Sequence, residues 1–312
     1  MSINQQDTSS YRHLTGIESL SVSEIEYLLN KGDCYRKLID NKGFIEKTLT
    51  NTSIANLFFE NSTRTRISFE LAEKRLGAIV VNFSASNSSV AKGESLLDTV
   101  RNIVAMGVEM VVIRHQSTGV PHFLAKETDA HIVNAGDGTH EHPTQALLDA
   151  LTLRRHFGNL SGLRVAIIGD ILHSRVARSN ALLLNKLGIK IRFCGPPVLL
   201  PDSFADLGVE ISYSLDETLF WADAVMMLRI QQERQDANIL PSLADYITQY
   251  QVNETRLSKL SKKIAVLHPG PINQGVELTN EVVNSSQSLI FEQVTNGLAI
   301  RMAVLDYLKN GN

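Results

Sequence analysis

The sequence contains few cysteines, and they are far apart. Cys34 and Cys194 lie 160 positions apart in a chain of 312 residues, and no CxxC motif occurs. This usage argues against a disulfide framework and against a thiolate zinc site, and it fits a reducing compartment.

Long apolar runs and an excess of one charge are also absent. No stretch approaches the roughly 18 consecutive apolar residues of a membrane span, and residues 1–14 have no apolar segment typical of a signal peptide. We therefore expect a cytoplasmic protein with no membrane association. The net charge of −3 gives no reason to expect nucleic-acid binding, which needs a clustered basic surface. Anionic substrates would have to be bound by locally grouped cations.

Neither a GxxxxGK[ST] loop nor a GxGxxG fingerprint occurs, so the common nucleotide-binding loops are excluded. The apolar run 54–59 predicts a buried strand, and Ile67, Leu71 and Leu76 then recur at roughly helical spacing. Residues 62–65, Ser-Thr-Arg-Thr, therefore fall at a helix N-terminus. Unpaired N–H groups, hydroxyls and a guanidinium at such a place suit a phosphate group. The alternative interpretation is ordinary helix capping.

The order of elements predicts an α/β fold with two doubly wound parallel-sheet domains and a site in the cleft between them. The length also favours two domains. Predicted strands lie at 54–59, 78–83, 108–113, 131–135, 164–169, 189–194, 209–213, 223–228 and 264–267. An amphipathic helix at 291–308 closes the chain, with Val294, Leu298, Met302 and Leu305 on one face. We expect one domain at 1–152 plus 290–312 and the other at 153–289.

The segment 58–70, Phe-Phe-Glu-Asn-Ser-Thr-Arg-Thr-Arg-Ile-Ser-Phe-Glu, resembles the carbamoyl-phosphate signature of the aspartate/ornithine transcarbamoylase family. The resemblance covers nearly the whole chain from about Leu57. It includes Lys-Gly-Glu-Ser at 92–95, His-Pro-Thr-Gln at 142–145 and His-Pro-Gly-Pro at 268–271. It implies transfer of a carbamoyl group from carbamoyl phosphate to an amine, with no cofactor and no metal. With aspartate as acceptor, this is an early step of pyrimidine biosynthesis.

The resemblance also implies a set of site residues. Those for carbamoyl phosphate are Ser62, Thr63, Arg64, Thr65, Ser88, Lys92, Arg114, His142 and Gln145. Those for L-aspartate are Lys92, Arg175, Arg229, Gln231, Pro269 and Gly270. The catalytic groups among them would be Arg64, Thr65, Lys92, Arg114 and His142. In this family Ser88 and Lys92 act in the site of a neighbouring subunit, so we expect a homotrimer. A regulatory chain or a dihydroorotase is a further candidate partner.

Two features favour L-aspartate over L-ornithine as the acceptor. Ornithine enzymes of the family carry a cysteine in a His-Cys-Leu-Pro turn, where this chain has His-Pro-Gly-Pro. In addition, Arg175 and Arg229 suit a dicarboxylate and would repel the side-chain ammonium of ornithine.

The sequence offers two other interpretations. His140, Glu141 and His142 could suggest a metal site, but no further ligand is visible in the pattern, and zinc sites need three or four. The family interpretation accounts for His142 and Gln145 better. A non-catalytic relative, kept as a ligand sensor or scaffold, is the alternative from another functional class. It would normally show a lost arginine or a broken Lys92 segment, and this chain has neither.

Overall fold

The structure is a computed structural model that describes residues 12–84, 95–230 and 242–311. Three predicted site residues, Ser88, Lys92 and Gln231, lie outside the described residues. In the described part of the chain, no helix is both long enough and apolar enough to cross a membrane.

The first sheet contains four parallel strands in the order β2-β1-β3-β4. Its strands are β1 (Ser53–Phe58), β2 (Ile79–Ser84), β3 (Met110–His115) and β4 (His131–Asp137). The helices around it are α1 (Val22–Asp40), α2 (Thr63–Leu76), α3 (Leu96–Ala105), α4 (Val120–Glu127) and α5 (Pro143–Phe157). The reversal of strand order beside β1 places the ends of β1 and β3 at a switch point, where ligands commonly bind.

The second sheet contains five parallel strands in the order β7-β6-β5-β8-β9. Its strands are β5 (Arg164–Ile168), β6 (Lys190–Cys194), β7 (Glu210–Ser212), β8 (Ala224–Met227) and β9 (Ala265–Leu267). The remaining helices are α6 (Arg175–Lys186), α7 (Leu215–Trp221), α8 (Leu243–Tyr250), α9 (Glu254–Leu257), α10 (Asn280–Val283) and α11 (Ile290–Asn310). Two short 3₁₀ segments, Pro197–Leu199 and Asp202–Leu207, precede β7.

Helices cover both faces of each sheet, which explains the nearly continuous apolar character of the strands. In β1, Ile54 packs into a core shared with α1, α5 and α11. Ala55 and Leu57 face the other side, against α3 and α4. The shared core continues into the second sheet through Ala177 and Leu184 of α6. The two sheets are therefore joined by packed helices and not only by a linker.

Direct polar contacts also join the two sheets. The Lys186 ammonium at the end of α6 donates to the backbone oxygens of Ile17, Glu18 and Leu20, at 2.9, 2.8 and 2.7 Å. Helix α5 packs against α6, and α11 packs against α1, α2 and α5. These contacts hold the carboxyl ends of the two sets of strands on either side of one cleft.

The predicted fold class, two doubly wound parallel sheets, is confirmed. The boundaries of β1, α2, α5 and α6 agree with the sequence pattern to within a residue or two, whereas β3 begins at Met110, two residues later than predicted. The predicted core face of the last helix is partly wrong. Val294 is 56% exposed at the edge of the cleft, while Met302 and Leu305 are buried. The C-terminal half of α11 is buried on several sides, so a single apolar stripe does not describe it.

Candidate active site

A cleft with a volume of about 1120 Å³ lies between the two sheets. Each predicted site residue within the described ranges lines this cleft. They are Ser62, Thr63, Arg64, Thr65, Arg114, His142, Gln145, Arg175, Arg229, Pro269 and Gly270. Residues as much as 208 positions apart in the sequence, such as Ser62 and Gly270, are thus brought together. They meet because β1, β3, α5, α6, β8 and β9 all present an end to the same space.

The N-terminus of α2 opens into the cleft. Ser62 is the N-cap residue, but its side chain makes no capping hydrogen bond. The capping alternative therefore does not explain this serine. The first N–H groups of a helix have no intrahelical acceptor and lie at the positive end of the helix dipole. Residues 62–65 consequently offer backbone donors, hydroxyls and the Arg64 guanidinium to one anion.

Arg64 crosses the cleft to the turn that follows β9. A Cβ atom built on Gly270 would lie 1.7 Å from Nη1 of Arg64, and Gly270 has φ = +58°. Only glycine suits both the left-handed backbone and the guanidinium that packs against it. Burial in the cleft and the nearby charge of Arg229 lower the pKa of Arg64. This contact links the α2 end of the site to the second sheet.

Glu60 lies between two of the predicted arginines. Its carboxylate accepts from Nη2 of Arg114 at 2.7 Å and from Nη1 of Arg175 at 3.1 Å. Burial raises the pKa of Glu60, but the hydrogen bond from Arg175 and the charge of Arg114 outweigh it and leave the pKa lowered. A Cβ on Gly136 would meet both guanidinium groups, at 3.1 Å from Arg175 and 3.3 Å from Arg114. Glu60 thus orients one cation from each side of the cleft.

His142 is buried at the start of α5, where Pro143 occupies the first turn. Its backbone N–H donates to Oγ of Ser179 at 2.8 Å, and within the described residues its Nδ1 has no hydrogen-bond partner. Burial, followed by the charges of Arg114 and Arg175, lowers the pKa of His142 well below its ordinary value. The ring is therefore neutral at physiological pH, and a neutral imidazole can donate one hydrogen bond to a polarised oxygen.

The turn after β9 is held in place by His268. Its Nδ1 accepts the backbone N–H of Gly270 at 2.7 Å, and its own backbone N–H donates to Oε1 of Gln293 at 2.9 Å. Burial and the charges of Arg64 and Arg229 lower the pKa of His268 to about 3. The proton of the neutral ring is then on Nε2, since Nδ1 is the acceptor. This internal hydrogen bond fixes where the 268–271 backbone lies in the cleft.

Ser68, Gln293 and Arg301 are among the lining residues that sequence reasoning did not predict. Arg301 is 4% exposed, and its Nη1 donates to Oγ of Ser68 at 2.8 Å. Burial and the charge of Arg114 lower the pKa of Arg301 to about 10. One signal was present in the sequence, because Arg301 interrupts the otherwise apolar run 298–305. A buried charge in such a run needs a reason.

The described lining of the cleft is strongly cationic. It contains five arginines, Arg64, Arg114, Arg175, Arg229 and Arg301, and one carboxylate, Glu60. Since the whole chain has a net charge of −3, this concentration of cations is a local feature of the cleft. Low-dielectric walls focus such a field and attract anionic ligands.

The metal alternative at 140–142 finds no support in the described ranges, which contain no group of three or more ligating side chains. Glu141 accepts both the Ile17 backbone N–H and the Ser179 hydroxyl, at 2.9 Å each for Oε2. His140 contacts Asp137 instead, at 3.1 Å. Glu141, His140 and His142 therefore contact different groups and do not converge on one point.

Comparison with known proteins gives the same family for both halves of the chain. Residues 12–155 match the family model described as aspartate/ornithine carbamoyltransferase, carbamoyl-P binding domain, and residues 161–308 match its Asp/Orn binding domain. The aspartate carbamoyltransferase catalytic subunit of Cytophaga hutchinsonii is 52% identical over 303 residues, covering 97% of this chain and 98% of that protein. The subunit of the same name from Granulibacter bethesdensis is 52% identical over 298 residues, covering 95% and 94%.

Solved structures of similar proteins share the fold. Aspartate transcarbamoylase from Trypanosoma cruzi, in complex with N-(phosphonacetyl)-L-aspartic acid, superimposes with a TM-score of 0.87 at 32% identity, covering 96% of each chain. The catalytic subunit of the M. jannaschii enzyme gives a TM-score of 0.85 at 33% identity, covering 96% of this chain and 98% of that one. The T. cruzi enzyme has also been solved with carbamoyl phosphate and aspartate.

Proposed function

Because this chain belongs to the aspartate/ornithine carbamoyltransferase family, we propose that it is a catalytic chain that transfers the carbamoyl group of carbamoyl phosphate to the amine of L-aspartate. The products are N-carbamoyl-L-aspartate and phosphate, in an early step of pyrimidine biosynthesis. The observation that carries this proposal is the convergence of arginines from both sheets, with a neutral His142, on one cleft. The cleft is large enough for two small anionic substrates together.

Carbamoyl phosphate binds at the N-terminus of α2 in this proposal. Its phosphate group takes the hydroxyls of Ser62, Thr63 and Thr65, the backbone donors of the first helical turn, and the guanidinium groups of Arg64 and Arg114. Opposite charge and unpaired N–H groups are already concentrated there before the ligand arrives. The phosphate would compete with Glu60 for Arg114, which is now paired at 2.7 Å.

The carbamoyl group lies beside His142 and Gln145. Thr65, Arg114 and His142 donate to its oxygen, and Gln145 holds its amide. As negative charge develops on that oxygen in the tetrahedral transition state, donors fixed in a cleft of low dielectric stabilise it more than water does. A neutral His142 stays a donor through the pH range in which the reaction would run, because its pKa is lowered well below its ordinary value.

L-Aspartate binds on the other side of the cleft, with its carboxylates on Arg175, Arg229 and Gln231. The backbone of Pro269 and Gly270 lies where it can accept N–H groups from the attacking amine or the carbamoyl amide. The neutral amine forms the new N–C bond, the C–O bond to phosphate breaks, and the departing phosphate takes a proton from the amine. Holding both reactants in this geometry can supply about 7–11 kcal/mol of the barrier.

The aspartate assignment follows from charge. The second sheet contributes Arg175 and Arg229 to the cleft, whereas the described lining offers no carboxylate except Glu60, which both Arg114 and Arg175 already engage. A dicarboxylate is favoured at such a place, and the ammonium of ornithine is not.

The reaction is tested by phosphate release from carbamoyl phosphate, with L-aspartate and L-ornithine offered separately. We expect release only with L-aspartate, together with carbamoylaspartate. Release only with L-ornithine would contradict the assignment of the second substrate. No release with either amine would favour a non-catalytic sensor or scaffold.

The assembly belongs to the same proposal: a homotrimer in which Ser88 and Lys92 complete the neighbouring subunit's site, with Lys92 also reaching the aspartate. These two residues follow β2, the edge strand of the first sheet. Beside it, Val81 (42% exposed) and Met106 (78% exposed) line an open apolar groove. An edge strand and an apolar groove next to the segment that would cross over favour a second copy of this chain as the occupant.

Mixed trimers test this shared site. Lys92→Ala and Arg64→Ala subunits should each be nearly inactive, but their mixture should regain activity because some sites then combine two intact contributions. No gain above either parent would argue against the shared site. Light scattering gives the mass of the purified enzyme and so tests the trimer. The same measurement on enzyme isolated from its own cells tests whether a regulatory chain or a dihydroorotase adds to that mass.

Two further points remain proposals. The domain boundaries, 1–152 plus 290–312 and 153–289, are supported by the packing of α11 against α1, α2 and α5. Limited proteolysis between the two segments would test them. The cytoplasmic location stays a prediction that cell fractionation would test.

A further inference from the structure

Asp149 is a fully buried carboxylate two turns along α5 from His142. It does not line the cleft. Its oxygens accept three side-chain amide N–H groups. Nε2 of Gln145 and Nε2 of Gln293 donate to Oδ1 at 2.9 and 2.8 Å, and Nδ2 of Asn180 donates to Oδ2 at 2.9 Å. The three donors come from α5, α11 and α6, so one carboxylate joins three helices.

Backbone partners fix the orientation of two of these amides. Oε1 of Gln293 accepts the His268 backbone N–H at 2.9 Å, so its nitrogen must face Asp149. Nδ2 of Asn180 also donates to the Val176 carbonyl at 3.0 Å, so this atom must be the nitrogen. Neither amide can turn over without placing two donors or two acceptors against each other. The oxygens of the ionised Asp149 are therefore acceptors.

The orientation of Gln145 follows from this. Since Oδ1 of Asp149 is an acceptor, the NH₂ end of Gln145 points to it. The carbonyl end, Oε1, is left for the cleft that Gln145 lines. The substrate thus meets a hydrogen-bond acceptor and not a donor. A carbamoyl NH₂ needs an acceptor, so the buried carboxylate decides whether Gln145 can bind it.

The same carboxylate reaches the aspartate side of the site. Gln293 connects it to the backbone of His268, which opens the turn containing Gly270. Asn180 connects it to α6, the helix that begins with Arg175. Gln293 and Asn180 therefore connect Asp149 to segments that contain groups facing the substrate, the 268–271 turn and the start of α6.

We propose that Asp149 is a positioning residue that sets Gln145 as an acceptor toward the carbamoyl amide, while the donors from α6 and α11 hold Asp149 itself in place. It touches no substrate itself. The role deepens the proposed carbamoyl transfer and rests on it.

The ionised form is the one that can hold three donors at once. Burial raises the pKa of Asp149 to about 7, although the amides of Asn180, Gln293 and Gln145 oppose this. A buried carboxylate of this kind is costly to keep. A requirement for a fixed orientation of the three amides explains why a carboxylate is present at the junction of these helices.

The test begins with Asp149→Asn, which keeps the size of the side chain but leaves one acceptor oxygen for three donors. We expect kcat/KM for carbamoyl phosphate to fall about 10- to 100-fold, the factor given by losing one hydrogen bond to a charged group. If Asp149 acts through Gln145, the same change made in a Gln145→Ala background should cost about 3-fold or less. A purely structural role would lower activity by the same factor in both backgrounds.

Glu73→Gln is the matched control. Glu73 is also fully buried, accepts one side-chain amide, from Asn56 at 2.8 Å, and has a pKa raised to about 8 by burial. It does not line the cleft. We expect this variant to keep wild-type kinetics. Wild-type kinetics in Asp149→Asn, equal losses in the two Gln145 backgrounds, or an equal kinetic loss in Glu73→Gln would each overturn the proposal.

Failure of the proposed function would look different. In that case the wild-type chain itself would release no phosphate with L-aspartate. The hydrogen bond can still be tested by urea unfolding of the same four proteins, meaning wild type, Asp149→Asn, Gln145→Ala and the double variant. Non-additive free energies of unfolding support the contact between the two side chains, and additive ones overturn it.

Discussion

The two sides of the cleft are built by different means. The side proposed for phosphate, called the phosphate side, consists of residues 62–65 with Arg114 and His142 and is centred on one contiguous segment at a helix N-terminus. The side proposed for the carboxylates of aspartate, called the carboxylate side, consists of Arg175, Arg229 and the 268–271 turn. These come from three separate segments, the start of α6 and the ends of β8 and β9. The first side uses backbone donors and a helix dipole, which local structure supplies on its own. The second depends on how distant segments pack together, so it should be more sensitive to small changes in backbone position.

The largest effect is expected on the phosphate side. Arg64→Ala should fold normally and lose turnover by at least about 10²-fold, because it removes a cation that neutralises the phosphate as it leaves. Arg66→Ala is the matched control, since Arg66 is exposed on the same helix and does not line the cleft. Near-normal turnover in Arg64→Ala would contradict the phosphate assignment.

A change on the carboxylate side should affect binding of the second substrate instead. In Arg229→Ala we expect KM for L-aspartate to rise about 10- to 100-fold, with KM for carbamoyl phosphate within about 3-fold of wild type. Arg229→Lys should recover only part of the loss, because an ammonium cannot bind a carboxylate bidentately. Steady-state kinetics with each substrate varied in turn measure the difference. An equal rise in both KM values would contradict the division of the cleft.

Gly270→Ala tests the contact that joins the two sides. The new methyl group would occupy the place of the Arg64 guanidinium and also force alanine into φ = +58°. We expect kcat/KM to fall about 10-fold or more through displacement of Arg64. Gly275→Ala is the control, because Gly275 has φ = +77° but nothing lies within 4 Å of the added Cβ. It carries a similar backbone strain of about 1 kcal/mol and should keep normal kinetics.

The smallest expected effect is on the pH dependence of stability. The pKa of His268 is lowered to about 3 by burial, while the unfolded chain has the ordinary value near 6.5. Between these values the unfolded state binds the extra proton, so stability is present above pH 6.5 and is lost as the pH falls toward 3. His268→Asn should remove up to about 1.4 kcal/mol per pH unit from this slope. Urea unfolding between pH 6.5 and 4 measures it, with exposed His156→Asn as control.

If His268→Asn left the slope unchanged, the imidazole would not be held neutral in the folded state. A smaller slope with normal kinetics at pH 7 would mean that the Asn oxygen can replace Nδ1 as the acceptor for Gly270. The carboxylate side would then need the hydrogen bond and not the ring.

Much of the phosphate side could be predicted from the sequence. An apolar run predicts strand β1, and the helical spacing of the apolar residues that follow the polar turn predicts helix α2, which ends at Gly77. All of these signals are local. Arg114 and His142 were also predicted, since each follows a recognisable strand or opens a helix. The family motif then connected these local patterns to one ligand.

What the sequence did not indicate were the groups that support the site from behind. The pairing of Glu60 with Arg114 joins residues 54 positions apart. The amides that meet at Asp149 come from three helices, and nothing in their local patterns marks them as neighbours. Arg301 looked like a residue of an apolar helix face, although its charge was a usable signal.

The sequence by itself determined the order of strands and helices, the two-sheet architecture and the chemistry gathered at the strand ends. These depend on hydrophobic period and on short polar motifs, which act within a few residues. Only the tertiary structure decided that Arg64 packs on Gly270, that Glu60 also holds Arg114, and that the Gln145 amide donates to the buried Asp149. Those outcomes depend on side-chain orientation and burial across distant segments, where each hydrogen bond is set by all the others around it.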